Sequence, residues 1–320
     1  MIKKRLDTMG LDLSPLAIGC EQLGNRDWGI VDVSECKRAI QKAFANGINV
    51  FDTSDVYGLG RSEEELSSAL GKERYNTFII SKFGIRWEGD GIESRAKTYK
   101  DSSPNYLGIA IENSLRRLRL DTIPLYFIHW PDEKTPTIDT LEALEKARKA
   151  GKILNYGFSN FPLKIIANVI DEYPIAAIQA PYSLGIDNFE NRELFHLALS
   201  KGLSNFTYGP LAQGLLSGKY DENSKFEDND RRHRLVQFSK DRWKLNRQLL
   251  AALDKLAKQY NKSIAQIAIR WCIDSNYTSS TIVGIKNLEQ LRENCGALGW
   301  SLSINDWHCL EKIFYQNSII

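Results

Sequence analysis

The chain has 320 residues, 42% of them hydrophobic and 26% charged, which is enough apolar material for a full core and excludes disorder as its general state. Lys plus Arg (42) against Asp plus Glu (40) leaves a formal charge of +2, so neither nucleic acid nor an anionic membrane is expected as the main partner. No apolar run approaches the ~20 residues of a membrane helix. The basic start, Met1-Ile2-Lys3-Lys4-Arg5, lacks the hydrophobic stretch of a secretory leader. Five scattered cysteines without a C-x-x-C indicate neither a disulfide framework nor a thiolate zinc site, and a reduced cytoplasm is the expected location.

In chain order, Lys3–Leu13 reads as a short hairpin closing a barrel floor, and Leu16–Gly19 as a first strand. Ser34 is expected to cap a helix to Asn46, with Ala39, Ile40, Ala43 and Phe44 on its apolar face and Gly47 as its stop. Strands are then predicted at Ile48–Thr53, Phe78–Lys82, Leu125–Trp130, Ile153–Ser159, Ala176–Ala180, Leu203–Tyr208 and Thr281–Ile285. Helical patterns fall at Asn105–Leu118, Thr137–Ala150, Leu163–Glu172, Arg192–Ser200 and Ile264–Asp274. Several strands are continuous β-branched or aromatic runs, as expected where both faces are covered.

Alternating strand and helix predicts a parallel sheet, and eight strands in this length fit a (β/α)8 TIM barrel better than a doubly wound sheet. The run Gly19-Cys20-Glu21-Gln22-Leu23-Gly24 also lacks the G-x-G-x-x-G spacing of the dinucleotide-binding alternative. Without a linker, residues 1–320 read as one domain. Two connections are long and are expected as substrate and cofactor loops at the C-terminal face. These are Gly84–Pro104, with Trp87 and Tyr99, and Gly209–Lys240, with Gly214, Gly218 and Arg231-Arg232-His233-Arg234. The basic run fits a solvated face and a phosphate contact equally well.

Barrel chemistry gathers at the C-terminal strand ends. The second strand runs out through Asp52-Thr53-Ser54-Asp55-Val56-Tyr57-Gly58, the third in Ser81-Lys82, and the fourth in His129-Trp130-Pro131-Asp132. The fifth ends in Ser159-Asn160, the sixth gives Gln179, and the seventh gives Tyr208-Gly209-Pro210. Singly, Asp52 fits a helix cap, Lys82 a solvated strand end, Tyr57 a rim aromatic and His129 a satisfied core histidine. No His-x-His, His-Glu-x-x-His or carboxylate cluster supplies metal ligands, and the G-x-S-x-G elbow of a serine hydrolase is absent.

Seven segments in order resemble the aldo-keto reductase superfamily. They are GINVFDTSDVYGLGRSEEELSSALG (Gly47–Gly71), FIISKFG (Phe78–Gly84), SLRRLRLDTIPLYFIHWPD (Ser114–Asp132), GKILNYGFSN (Gly151–Asn160), QAPYS (Gln179–Ser183), YGPLAQGLLSGKY (Tyr208–Tyr220) and VGIKNLEQLREN (Val283–Asn294). The resemblance implies a (β/α)8 barrel and a catalytic tetrad of Asp52, Tyr57, Lys82 and His129. Tyr57 would protonate the alkoxide formed by hydride transfer to an aldehyde or ketone. A phenol with an ordinary pKa of ~10 releases its proton too slowly unless a cation such as Lys82 stabilises tyrosinate. Asp52 would orient Lys82, and His129 would polarise the carbonyl.

The resemblance also implies a bound NADPH. Ser159, Asn160 and Gln179 would hold the carboxamide, and Tyr208 would stack on the nicotinamide. Pro210, Leu211 and Gly214 would pass the pyrophosphate, Lys286 and Gln290 would meet the 2′-phosphate and ribose, and Glu293 and Asn294 the adenine. Many relatives carry arginine where this chain has Lys286 or Gln290, an acidic residue where it has Pro124, and a bulky apolar residue where it has Glu21. Glu21, Trp28, Trp87 and Trp130 form the expected substrate pocket. A carboxylate there favours a keto-sugar or other polyhydroxylated carbonyl compound over a steroid or long aldehyde, while pairing of Glu21 with a nearby cation is the structural alternative. A cofactor-sensing regulatory role, as in potassium-channel β subunits, and a barrel hydrolase or isomerase are the competing readings.

Overall fold

The computed structural model describes residues 4–6, 11–25, 31–89, 96–185, 189–226 and 230–318. β1 (Lys4–Leu6) and β2 (Leu11–Leu13) pair antiparallel, Lys4 opposite Leu13. Leu13 packs among the residues that fill the barrel interior, so this pair closes the floor. Lys3 lies outside the described residues.

β3 (Leu16–Gly19), β4 (Val50–Asp52) and β5 (Phe78–Phe83) begin the barrel. β6 (Ile85–Glu88) and β7 (Lys97–Lys100) form an antiparallel hairpin within the long segment after β5, where the sequence predicts only a loop. β8 (Ile123–Ile128), β9 (Ile153–Ser159), β10 (Ala177–Pro181), β11 (Ser204–Tyr208) and β12 (Ser280–Gly284) follow. All neighbours in the barrel are parallel, and β12 closes on β3 with Thr281 opposite Leu16.

Successive residues of a strand point to opposite faces. Ala17, Val50, Phe78, Ile80, Leu125, Phe127, Ala177, Phe206 and Ile282 fill the interior. Residues of the other parity, such as Ile18, Phe51, Ile79, Tyr126, Tyr156 and Ile178, pack outward beneath the helices. Gly157 belongs to the inner face and cannot carry a side chain, because a Cβ there would lie 2.0 Å from the Ala177 carbonyl oxygen.

The helices are α1 (Val33–Ala45), α2 (Arg61–Leu70), α3 (Pro104–Leu118), α4 (Thr137–Lys149), α5 (Leu163–Ala167), α6 (Phe189–Ser200), α7 (Trp243–Tyr260), α8 (Ile264–Asp274), α9 (Leu288–Cys295) and α10 (Ile304–Ser318). Asp32, not Ser34, caps α1. It holds extended backbone angles and its carboxylate accepts from the Ser34 and Glu35 amides at 2.8 and 3.1 Å. α5 ends well before Glu172, and turns carry the chain to β10. Among the described residues no helix is long and apolar enough to cross a membrane.

Candidate active site

The interior alternation delivers the site. Val50 points inward, so Asp52 does as well. Phe78 and Ile80 are followed inward by Lys82, Phe127 by His129, Ala177 by Gln179, and Phe206 by Tyr208. Each polar residue is thus the next inward position above the last apolar one, and together they form the top layer of the barrel.

Lys82, 1% exposed, is held by three acceptors. Its ammonium donates to Asp52 Oδ1 at 2.7 Å, to the Thr53 carbonyl at 2.8 Å and to the Tyr57 hydroxyl at 3.5 Å. Tyr57 comes from the turn after β4. That turn is fixed where Gly58, in the left-handed region at φ +60°, meets the Gly24 backbone so closely that neither position has room for a Cβ. The Tyr57 and His129 rings meet edge to face with centroids 5.7 Å apart. His129 is buried, and burial followed by the Lys82 ammonium holds its pKa well below 6.5. Its Nδ1 lies 3.1 Å from Ser54 Oγ, which leaves Nε2 as the nitrogen a ligand can meet.

A second network adjoins the first. Gln179 Nε2 donates to Asp52 Oδ2 at 2.8 Å, and Ser159 Oγ donates to Gln179 Oε1 at 3.2 Å. Asn160 Nδ2 donates to the His129 carbonyl and to Ser159 Oγ, each at 3.0 Å, and the Tyr208 hydroxyl donates to Asn160 Oδ1 at 2.7 Å. Asp52, Tyr57, Lys82, His129, Ser159, Asn160, Gln179 and Tyr208 therefore stand in one connected cluster.

Farther out, Pro210 and Leu211 lead from β11 into the turn Ala212–Ser217, where Gly214 takes φ +101°. Arg232 ties this turn to the basic run. It donates to Asp230 Oδ1 and Oδ2 at 2.9 and 3.1 Å and to the Tyr220 hydroxyl, and its guanidinium lies over the Phe226 ring at 4.7 Å. Lys286 is close enough to be felt by this group. Burial, and then the positive charge of Arg232, lower its pKa, while Asp230 opposes them. Gln290 Oε1 accepts from the Lys286 amide at 2.9 Å, and the Glu293 carboxylate accepts from Ser263 at the cap of α8. Both side chains thus have work in the chain's own structure. Asn294 is buried on α9.

Of the expected pocket residues, half-buried Glu21 opens the 3-10 turn Glu21–Gly24 directly after β3. Trp130 is exposed, with the Lys100 ammonium 5.7 Å from its ring centroid. Trp87 lines a cavity of about 140 Å³ together with Asp55, Tyr106 and Arg117. Trp28 lies outside the described residues. Sequence reasoning passed over Gln22, whose buried Oε1 has no hydrogen-bond partner among the described residues. Its amide packs against Gly284 at the end of β12, so closely that a Cβ on Gly284 would lie 2.5 Å from it. The only signal for it was its place three residues beyond the first strand.

The donor set fits a nicotinamide cofactor. Ser159, Asn160 and Gln179 offer both donors and acceptors, as a carboxamide requires, and the unpartnered Gln22 oxygen offers a further acceptor at the rim. Lys286 and Arg232, near one another, supply positive charge. Among the described residues no group of three or more His, Cys, Asp or Glu side chains is arranged to hold a metal ion.

Residues 15–314 match the model of the aldo/keto reductase family. The chain is 32% identical over 316 residues to aldo-keto reductase YhdN of Bacillus subtilis, covering 97% of this chain and 92% of that one. It is 31% identical over 317 residues to an NADH-specific methylglyoxal reductase of Escherichia coli, covering 96% of each. Its fold superposes on the glycerol dehydrogenase AKR11B4 of Gluconobacter oxydans with a TM-score of 0.90 and 31% identity, covering 99% of this chain and 96% of that one. By sequence match over nearly its whole length and by its closed parallel barrel, this chain belongs to the aldo/keto reductase family.

Proposed function

We propose that this chain reduces an aldehyde or ketone to an alcohol with NADPH, Tyr57 acting as general acid and Lys82, Asp52 and His129 assisting it. The observation that carries the reading is the Lys82 ammonium, buried between the Asp52 carboxylate and the Tyr57 hydroxyl and beside a neutral His129. The family consists of oxidoreductases that act on small carbonyl compounds with nicotinamide cofactors. The bound cofactor supplies the hydride.

The chain's own residues supply the rest. His129 donates through Nε2–H to the carbonyl oxygen and draws electron density onto it. Tyr57 hands its proton to that oxygen as negative charge builds there, and the Lys82 ammonium stabilises the charge left on the phenol. Asp52, fixed by Gln179, keeps the ammonium in place. Ser159, Asn160 and Gln179 would hold the carboxamide, and the Tyr208 ring would support the nicotinamide.

Preference for NADPH is argued from Lys286 and Arg232, which together offer charge-assisted hydrogen bonds to a 2′-phosphate. Asp230 and the NADH-specific relative pull the other way, so the comparison of the two cofactors is a direct test. For substrate we infer a short, oxygen-rich carbonyl compound such as a keto-sugar. Glu21 at the mouth accepts hydrogen bonds from hydroxyl groups, and the names of two relatives, methylglyoxal reductase and glycerol dehydrogenase, point to small oxygenated compounds. The test compares kcat/KM on hydroxylated and apolar carbonyls in the parent and in Glu21→Leu. The variant should lose efficiency on the hydroxylated series alone. A parent that prefers apolar carbonyls and is indifferent to the substitution would overturn the substrate class.

A further inference from the structure

Behind His129 runs a chain of polar contacts that the reduction chemistry above does not use. Ser54 and Asp55 follow Asp52 and Thr53 in the turn after β4, and both are buried. Ser54 Oγ lies 3.1 Å from His129 Nδ1 and 3.3 Å from Asp55 Oδ1. On the far side, the Tyr106 hydroxyl of α3 approaches Asp55 Oδ2 at 3.3 Å. Asp55 and Tyr106 also line the cavity of about 140 Å³ that Trp87 borders, a space large enough for water.

Counting protons ties the ends of this chain together. A serine hydroxyl has one proton to give. An ionised Asp55 only accepts, so Ser54 donates to it and must accept from His129. The imidazole proton then sits on Nδ1, and Nε2 is bare. A protonated Asp55 instead donates to Ser54, Ser54 donates to Nδ1, and the imidazole proton sits on Nε2. His129 is neutral in both arrangements; only the nitrogen that bears the proton changes.

We propose that Ser54 and Asp55 are positioning residues that set the tautomer of His129, a protonated Asp55 selecting the Nε2–H form that donates to the carbonyl. The proposal deepens the carbonyl-reductase reading and rests on it. The groups that face Asp55 come from several elements. Glu63 of α2 adds its negative charge to the effect of burial, Arg117 of α3 opposes it, and Ser54 and Tyr106 hydrogen-bond to the carboxylate. The balance pushes Asp55 up to about 8. Tyr126 of β8 interacts with the carboxyl as well, and Arg86 of β6 lines the same cavity. His129 itself faces Lys82 of β5 and the Tyr57 ring.

The test is nitrogen NMR of the full chain labelled with 15N-histidine, without substrate or cofactor. Only four histidines contribute, and His129→Gln identifies the relevant pair of signals. In the parent, the Nε2–H form should dominate at neutral pH and give way to Nδ1–H as pH passes about 8. Asp55→Asn, whose amide donates to Ser54 at every pH, should hold the Nε2–H form throughout, and Ser54→Ala should abolish the pH response. In parallel, parent kcat should fall about tenfold per pH unit above that point, and Asp55→Asn should lack this step. A parent tautomer that ignores pH, or one that shifts identically in Asp55→Asn, overturns the proposal. The parent titration decides even where a variant fails to fold. A tautomer that follows Asp55 in a protein that reduces no carbonyl leaves the relay standing and removes the reductase reading.

Discussion

Replacing Lys82 by methionine keeps the length of the side chain and removes its charge, and two losses should follow. The ammonium lies 3.5 Å from the Tyr57 hydroxyl. At an effective dielectric near 20, a full charge on that oxygen is stabilised by about 5 kcal/mol. If half of that charge has developed in the transition state, the loss is about 2.5 kcal/mol, or roughly 10²-fold in kcat. The second loss is structural. Asp52, 4% exposed, keeps the Gln179 amide and loses its cation. Breaking a buried ion pair typically costs about 3–5 kcal/mol, a midpoint shift of roughly 4–7 °C in a chain of this length. Adding Asp52→Asn removes the stranded charge, so the double variant should regain most of the midpoint and none of the turnover. Thermal unfolding and initial rates of cofactor oxidation read the two effects separately. A folded Lys82→Met protein that turns over within about threefold of the parent would refute the role given to the ammonium.

Tyr57→Phe removes only the hydroxyl. Reduction should fall by about 10²–10⁴-fold, with cofactor affinity retained in a fluorescence titration, and a near-normal rate would displace Tyr57 as the acid. Lys286→Ala should weaken NADPH binding by about 1.5–3 kcal/mol, the range for a hydrogen bond to a charged group, and leave NADH binding unchanged. Equal parent affinities for both cofactors would show that the phosphate contact is absent. Stability should carry two opposed dependences on pH. His129, held well below 6.5 in the folded chain, stabilises fully above 6.5, and that contribution fades as pH falls below it. Asp55, raised from 3.8 to about 8, stabilises fully below 3.8 and loses that contribution as pH rises through about 8. Asp55→Asn should therefore remove the alkaline loss and spare the acid one, as read by denaturant midpoints across pH; an unchanged alkaline limb would refute titration of Asp55 there.

The barrel was legible because its strands are buried on both faces and read as unbroken apolar runs. Asp52, Lys82 and His129 were legible as polar ends of those runs, and Tyr57 was singled out through the family resemblance. What escaped the sequence depends on choices made between neighbours in space. Asp32 and Ser34 are both competent caps, and only backbone angles chose Asp32. α7 carries Trp243, Leu249, Leu253 and Leu256 on one face, yet it follows a connection whose composition masks where the helix begins. Trp87 sits on a strand of a two-stranded hairpin, a unit too short to announce itself, and the hairpin carries it to the Asp55 cavity. The bond from Ser263, the cap of α8, to the Glu293 carboxylate joins residues thirty positions apart, a pairing that no local pattern announces.

The two-residue alternation of β5 also explains why the ionisable groups of this region form two sets. Lys82 points inward and meets Asp52 and Tyr57. Ser81, its neighbour of opposite parity, points outward and donates to Glu63, which also accepts from Arg117 at 2.6 Å. A slip of one residue in β5 would exchange the two faces and bring a serine to the mouth, so strand register and chemistry are fixed together. Asp55 stands where the two sets approach. Through Ser54 it reaches His129 inside, and through burial near Glu63 and Arg117 it feels the outer pair. The protonation of that carboxyl is therefore set first by burial and then by the charges of Glu63 and Arg117 beneath the helices, while its consequence appears at the mouth of the barrel.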